Sequence, residues 1–301
     1  MKFTLCMMTA RQEPQLDWVL HDLLMQRQPG DSIDIIVVDF FGRPLRKLAP
    51  SALCHANDQI RVLEPKPTIW QGGYRITKEH WWATASSRNT AIVLANTDYL
   101  VCIDDRCHLG PQWLESVRKY EGERRAVLVG SYDKHEDGNL VSQDHRRLAR
   151  PNGWKNCSPG WLYGCSFGLP LDWALEINGF EEGCDSLTGE DYIFGLMLAN
   201  ADHLCDFVPE MFVQQDRSHG NVSCKGLYRC MDKGVSPKDK SHAALERFSK
   251  RTRTEFTPDL RAMRTARLAA EAKGEHWQFP TPDPNGVYLD WYDGQDIRSM
   301  I

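Results

Sequence analysis

DYLVCIDDRCHLGPQWLESV, residues 98–117, decides the fold. Tyr99–Ile103 is an unbroken apolar run of strand length that stops at the acid pair Asp104-Asp105. Pro111 then opens a helical stretch, with Trp113, Val117 and Tyr120 spaced i, i+4 and i+7. A strand without a polar face is covered on both sides, as in a parallel sheet lying between helices.

The same alternation runs upstream. Phe3–Met8 is an apolar strand, and Pro14 opens an amphipathic helix with Leu16, Leu20, Leu23 and Leu24 on one face and a Pro29-Gly30 stop. IDIIVVDF (33–40) is a second buried strand and Ile60–Leu63 a weaker one. Ser86–Asn96 reads as a helix and Ala126–Gly130 as a further strand. Residues 64–85 read as a long loop carrying Trp70, Trp81 and Trp82. Strands separated by helices predict an α/β fold with a mainly parallel, Rossmann-like sheet flanked by helices. Such sheets bind ligands beyond the carboxyl ends of their strands, and Asp39, Asp104 and Asp105 all stand at strand ends. The spacing therefore predicts three carboxylates on one rim.

Downstream, 131–165 is polar and glycine-rich and reads as loops or an irregular hairpin. Leu171–Asn178 follows Pro170 as a short helix stopped by Gly179, and Gly189-Glu190-Asp191 opens another with Ile193, Leu196 and Met197 on its buried side. Thus 1–220 reads as one α/β unit, with a first half over 1–130 and a second half over 131–220. Residues 221–301 form a basic, mainly helical C-terminal extension, broken near Thr257-Pro258.

Composition limits the function classes. At 42% hydrophobic residues the chain can bury a sizeable core, and the mild net charge of −5 does not by itself point to a strongly acidic or basic partner. The charge is uneven: 221–273 holds 13 Lys/Arg against 6 Asp/Glu. The ten cysteines include no CxxC pair, and several sit within strand-like runs, as small buried hydrophobes do. No apolar run reaches the roughly 18 residues of a membrane span, and the start reads as a strand rather than a leader. These features lead to the expectation of a reduced, cytoplasmic protein.

Two adjacent acids after a buried strand can hold a divalent cation that in turn holds a diphosphate, although most such pairs are solvated turns. The context is more specific. The stretch 98–117 resembles the acidic-cluster region of glycosyltransferase family 2, where a hydrophobic strand ends in acids and a Pro and a Trp-Leu follow. Ser87-Arg88-Asn89 resembles the Arg-Asn of the preceding helix in that family, and Thr9-Ala10-Arg11-Gln12-Glu13 its first nucleotide-contacting loop. GWLYGCSFGLPLDWALEINGFEEGCDSLTGEDYIFGLML (160–198) is similar to its acceptor half: a glycine-rich strand, a short helix, Gly179-Phe180-Glu181, then Glu190-Asp191 at a helix start.

The resemblance implies a GT-A fold and an inverting transfer of sugar from a nucleotide-sugar, a UDP-sugar in the first instance, to an acceptor hydroxyl. It makes 1–220 the catalytic domain, with its nucleotide-sugar half over 1–130 and its acceptor half over 131–220. It implies Asp191 as general base with Glu190 beside it, and Thr9, Arg11, Glu13, Asp39, Arg88 and Asp104 at the donor. Mn2+ or Mg2+ would be held by Asp105 and by His219, a better-placed histidine than His203 or His108. Arg106 departs from the pattern, since it stands where the family commonly has a further acid. Either Asp105 alone ligates the metal with Asp104 toward the ribose, or Arg106 partly replaces a cation. Trp161 and Tyr163, just before the acceptor elements, could stack on a sugar. The bland reading of Glu190-Asp191, acids at a helix N-terminus complementing its dipole, stands beside these roles.

Two rivals remain. A sugar-phosphate nucleotidyltransferase would need a glycine-rich loop after the first strand, and Met8–Gln12 has no glycine. A catalytically degenerate nucleotide-sugar-binding protein is the other. The acceptor is left open between a glycan and a modified base in DNA, the latter reached through the basic extension.

Overall fold

The computed structural model describes residues 1–67, 83–185, 189–218 and 245–280, with the backbone of 289–290 and 295–296. Trp70, Trp81, Trp82 and His219 lie outside the described residues. Four parallel strands, β1 (Lys2–Thr9), β2 (Ser32–Asp39), β3 (Gln59–Leu63) and β4 (Tyr99–Ile103), stand in the order β3-β2-β1-β4. β8 (Ser166–Pro170) is antiparallel to β4, and β6 (Val127–Glu136) is antiparallel to β8. β9 (Cys205–Asp216) runs parallel to β6, and β5 (Cys107–Leu109) closes that edge. Two reversals restore the direction of β4 in β6 and β9, so the carboxyl ends of β1, β2, β4, β6 and β9 share one rim.

Both faces of the sheet are covered, which is why seven of eight positions in β1 and in β2 are buried. Phe3, Leu5 and Met7 face one layer with α1 (Leu16–Gln26) and α3 (Trp113–Glu123). Cys6 and Met8 face the other, with α2 (Thr84–Leu94), α5 (Leu171–Glu176) and α6 (Glu190–Asn200). β6 extends beyond the expected strand to Glu136 and folds back as β7 (Asn139–Gln143), the hairpin alternative for this segment. After it comes the single-turn α4 (His145–Ala149).

α2 is unusual in composition. Ser86, Ser87, Arg88, Asn89 and Thr90 form a consecutive polar run, and every one is buried. Buried polar residues must find partners, so this helix is placed to connect elements as well as to fill space.

The described part of the C-terminal extension packs on the same layer. α7 (Leu260–Ala272) lies against α2, and Arg264 and Arg267 both donate to the carbonyl of Ala95 at the end of α2, where a cation complements the helix dipole. Ahead of α7, residues 254–260 dock on the turn after α5. Asn178 Nδ2 donates to Thr254 Oγ1 at 2.9 Å and to the Thr257 carbonyl at 3.0 Å, and its Oδ1 accepts from Leu260 N at 2.9 Å. Asn178 takes left-handed backbone (φ 65°), which asparagine tolerates better than most residues. Asn178→Ala removes three hydrogen bonds, two of them buried, and adds strain, and is expected to cost about 2–3 kcal/mol, read as a lower urea midpoint. Among the described residues no helix is long and apolar enough to cross a membrane.

Candidate functional site

The rim gathers the acids anticipated there, in three different states of engagement. Asp39, at the end of β2, is fully buried, and both its oxygens are taken by Arg43. Arg43 Nε donates to Asp39 Oδ2 at 3.0 Å and Nη2 to Oδ1 at 2.8 Å. The same guanidinium donates to the carbonyls of Gln12 (2.6 Å) and Arg11 (2.8 Å). Asp39 thus holds the loop after β1 through Arg43, which the sequence reading missed. A charged side chain just beyond a strand-ending acid was the available signal. Because the clasp ties the loop after β1 to the end of β2, Arg43→Met and Asp39→Asn should each cost about 2–4 kcal/mol of stability, the scale for breaking a buried ion pair. The double variant should be no worse than either single one. Additive losses in scanning calorimetry would mean that the two residues act independently.

Asp105 is held on the protein side. Its Oδ2 accepts from Thr9 Oγ1 at 2.6 Å and its Oδ1 from Arg11 Nε at 3.0 Å, and burial pushes its carboxyl up to about 6 against these contacts. Asp104 is the more open of the pair, with 24% of its side chain exposed against 9% for Asp105. Gln215 Nε2, from the end of β9, donates to Asp104 Oδ2 at 3.1 Å. Desolvation at the strand end raises the pKa of Asp104, opposed by Arg88.

Arg106 is turned away from these acids. Its backbone is left-handed (φ 53°), and its guanidinium pairs with Asp216 at 2.5 Å and donates to the carbonyl of Glu13 at 2.9 Å. It ties the β1 loop to the end of β9. Glu13 is exposed and enters this network through its backbone.

Across the rim, Gly189 (φ 94°) starts α6 and presents Glu190 and Asp191. Arg88, from α2, joins the two sides: Nη1 donates to Glu190 Oε1 at 2.7 Å, and Nη2 lies 3.9 Å from Asp104 Oδ1. Burial works against the Arg88 charge, yet Glu190, Asp104 and Asp191 together raise its pKa above the ordinary value. Glu190 is itself raised, by burial first and then by the neighbouring charge of Asp191.

Asp191 is half-buried and fixed by two backbone donors, Gly164 N to Oδ2 at 2.6 Å and Tyr192 N to Oδ1 at 2.7 Å. Gly164 has to be glycine, because a Cβ there would overlap the Arg88 guanidinium.

The aromatic pair lies on a buried scaffold. Arg146 on α4 is bidentate to Asp144, both fully buried, and its guanidinium stacks on Tyr163 at 4.1 Å and donates to the carbonyl of Trp161. Trp161 also meets Trp154 edge-on at 4.8 Å. Arg146 and Asp144 were not legible as functional, since a polar DHRR run reads as surface. His203 stacks on Trp173 and contacts Glu176, away from this rim, and His108 sits on Trp18 and Asp22.

A hard cation can be held by one or two carboxylates together with a substrate's phosphates. Among the described residues no three or more His, Cys, Asp or Glu are grouped to hold a metal ion. Asp104, open at the strand end with Asp105 behind it, fits the sparser arrangement.

No protein-family model matches the sequence, and no curated protein matches it. Solved structures do. GalNAc-T7 with UDP, GalNAc and Mn2+ superposes with a TM-score of 0.51 at 12% identity, over 90% of this chain and 54% of that one. TarS 1–349 of S. aureus gives 0.49 at 15% identity, over 72% and 60%. TarS 1–349 in complex with UDP-GlcNAc gives 0.49 at 14%, over 74% and 60%. The chain therefore spans little more than half the length of the structures it resembles. The fold is GT-A: a mixed, mainly parallel sheet flanked by helices.

Proposed function

We propose that this protein is a glycosyltransferase that moves a sugar from a nucleotide-sugar, a UDP-sugar first among candidates, to the hydroxyl of a glycan acceptor. The observation that carries the reading is the junction at Arg88. In a GT-A fold, one buried guanidinium links the acid at the end of β4 to the acids that open α6. A structure of similar fold, GalNAc-T7, has been solved with UDP, GalNAc and Mn2+.

In this reading the loop Thr9–Glu13, held by the Asp39–Arg43 clasp, receives the nucleotide, and Asp104 faces the diphosphate. Both Asp105 oxygens are engaged by Thr9 and Arg11, so in place of the anticipated Asp105 it is Asp104, backed by Asp105, that would hold Mg2+ or Mn2+, with His219 outside the described residues a further candidate ligand. A bound cation supplies charge neutralisation at the departing diphosphate. Asp191 takes the proton from the acceptor hydroxyl as its oxygen attacks the anomeric carbon. A single base facing the leaving group makes the transfer inverting. Glu190, paired with Arg88, holds the start of α6 in place.

The glycan is favoured over DNA because the described arginines of the extension are engaged within the chain. Arg247 and Arg251 pair with Glu255, Arg253 with Asp259 and Arg261 with Asp172, while Arg264 and Arg267 cap α2. The test is a nucleotide-sugar hydrolysis screen with Mn2+ and Mg2+, followed by mass spectrometry of acceptor glycans. Hydrolysis of at least one UDP-sugar is expected, and the reading fails if no nucleotide-sugar is either bound or turned over.

A further inference from the structure

A second concave surface lies at the opposite end of β9 from the rim. Between α3, the first half of β9 and the loop 152–155 is a groove of about 420 Å3, within the size range of small-molecule sites. Its floor is the buried carboxylate of Asp206, which accepts from Tyr120 Oη at 2.9 Å and from Asn156 N at 2.8 Å and is ion-paired with Arg125 at 2.7 Å. That carboxylate is satisfied and leaves no uncompensated charge at the bottom. Trp154 stands in the wall, 37% exposed. It is fixed by reciprocal backbone hydrogen bonds with Phe207 at 2.9 Å and by its edge-on contact with Trp161.

The charge of the lining is balanced, with Lys119, Arg125 and Lys155 against Glu115, Asp206 and Glu210. Such a surface has no net field to hold a polyanion or a polycation. It offers a rigid indole among cationic donors and carboxylate acceptors. The Arg150 guanidinium lies over this indole, 4.5 Å from the ring centroid, and the exposed remainder of the ring can meet the C–H face of a pyranose, whose hydroxyls both donate and accept.

We propose that this groove is a second, non-catalytic saccharide site. It would take sugar residues of the acceptor remote from the hydroxyl that reacts, and Trp161 links it through Trp154 to the aromatic cluster beside the catalytic rim. The assignment to the acceptor rests on the glycosyltransferase reading; the saccharide binding itself does not.

The experiment is calorimetric titration of the whole chain with neutral tetrasaccharides of glucose, mannose, galactose and N-acetylglucosamine, and with a single-stranded oligonucleotide. At least one tetrasaccharide is expected to bind. Trp154→Ala should weaken it at least about tenfold. Lys155→Met, on an exposed position where folding is not at issue, should weaken it by about threefold, the effect of one lost hydrogen bond. The proposal is overturned if no tetrasaccharide binds, if binding survives both substitutions unchanged, or if the oligonucleotide binds and Lys155→Met abolishes it. Because the titration needs no turnover, absence of donor hydrolysis beside intact saccharide binding overturns only the acceptor assignment, and the reverse result overturns only the groove.

Discussion

Asp191→Asn is expected to lower transfer to the acceptor by about a hundred- to ten-thousand-fold, the range for loss of a general base, with UDP affinity within about twofold of wild type. Asp191 is set at the first turn of α6 by the N–H groups of Gly164 and Tyr192. Neither donor can relay a proton away, so in the proposed transfer the carboxylate itself would take the proton from the hydroxyl. Asparagine keeps the size of the side chain but cannot accept that proton, and its NH2 group must face one of the two backbone donors. A modest stability loss is therefore expected as well, and thermal unfolding separates it from the catalytic loss. Transfer kinetics and UDP calorimetry on one preparation decide the matter. Full transfer with the asparagine variant would refute the base assignment and leave Asp191 as a helix-capping acid.

Much of this site was legible because strands advertise their ends. IDIIVVDF and YLVCIDD each run from continuous apolar burial straight into acid, and a parallel sheet places both ends on one rim. The start of α6 was legible from Gly189, whose left-handed backbone interrupts the chain just before Glu190. What could not be read was which acid is free and which is engaged. Asp39, Asp104 and Asp105 look alike in sequence, and their partners come from Arg43, Gln215, Thr9 and Arg11. Gln215 is 111 residues from Asp104, a pairing only the closed sheet creates. Arg106 seemed to intrude on the acidic cluster, and only its left-handed backbone sends the side chain out toward Asp216. β7 lies in a segment that reads equally as loops or as a hairpin, because all five of its residues are exposed and no alternation of burial marks a strand.

Arg88→Met should cost about 3–5 kcal/mol of stability, the scale for breaking a buried ion pair by removing one partner. Only 4% of the Arg88 side chain is exposed, and Glu190, itself 10% exposed, would lose its cation while still burdened by the charge of Asp191. Methionine fills much of the volume but leaves Glu190 to take up a proton or pull out toward water. Either response shifts the first turn of α6, on which Asp191 sits. Arg88→Lys is not a mild control, because one ammonium cannot span Glu190 and Asp104 as the fork of a guanidinium does. The packing around Gly164 shows how closely the arrangement is fitted: the guanidinium fills the space where any other residue would place its Cβ, while the Gly164 amide points at Asp191. The variant therefore links stability to function in one measurement. Urea unfolding should show the loss, and UDP binding should weaken with it because Asp104 loses its buried neighbour. If Arg88→Met unfolds at the wild-type midpoint and turns over normally, the two sides of the rim are held together by something other than this charge.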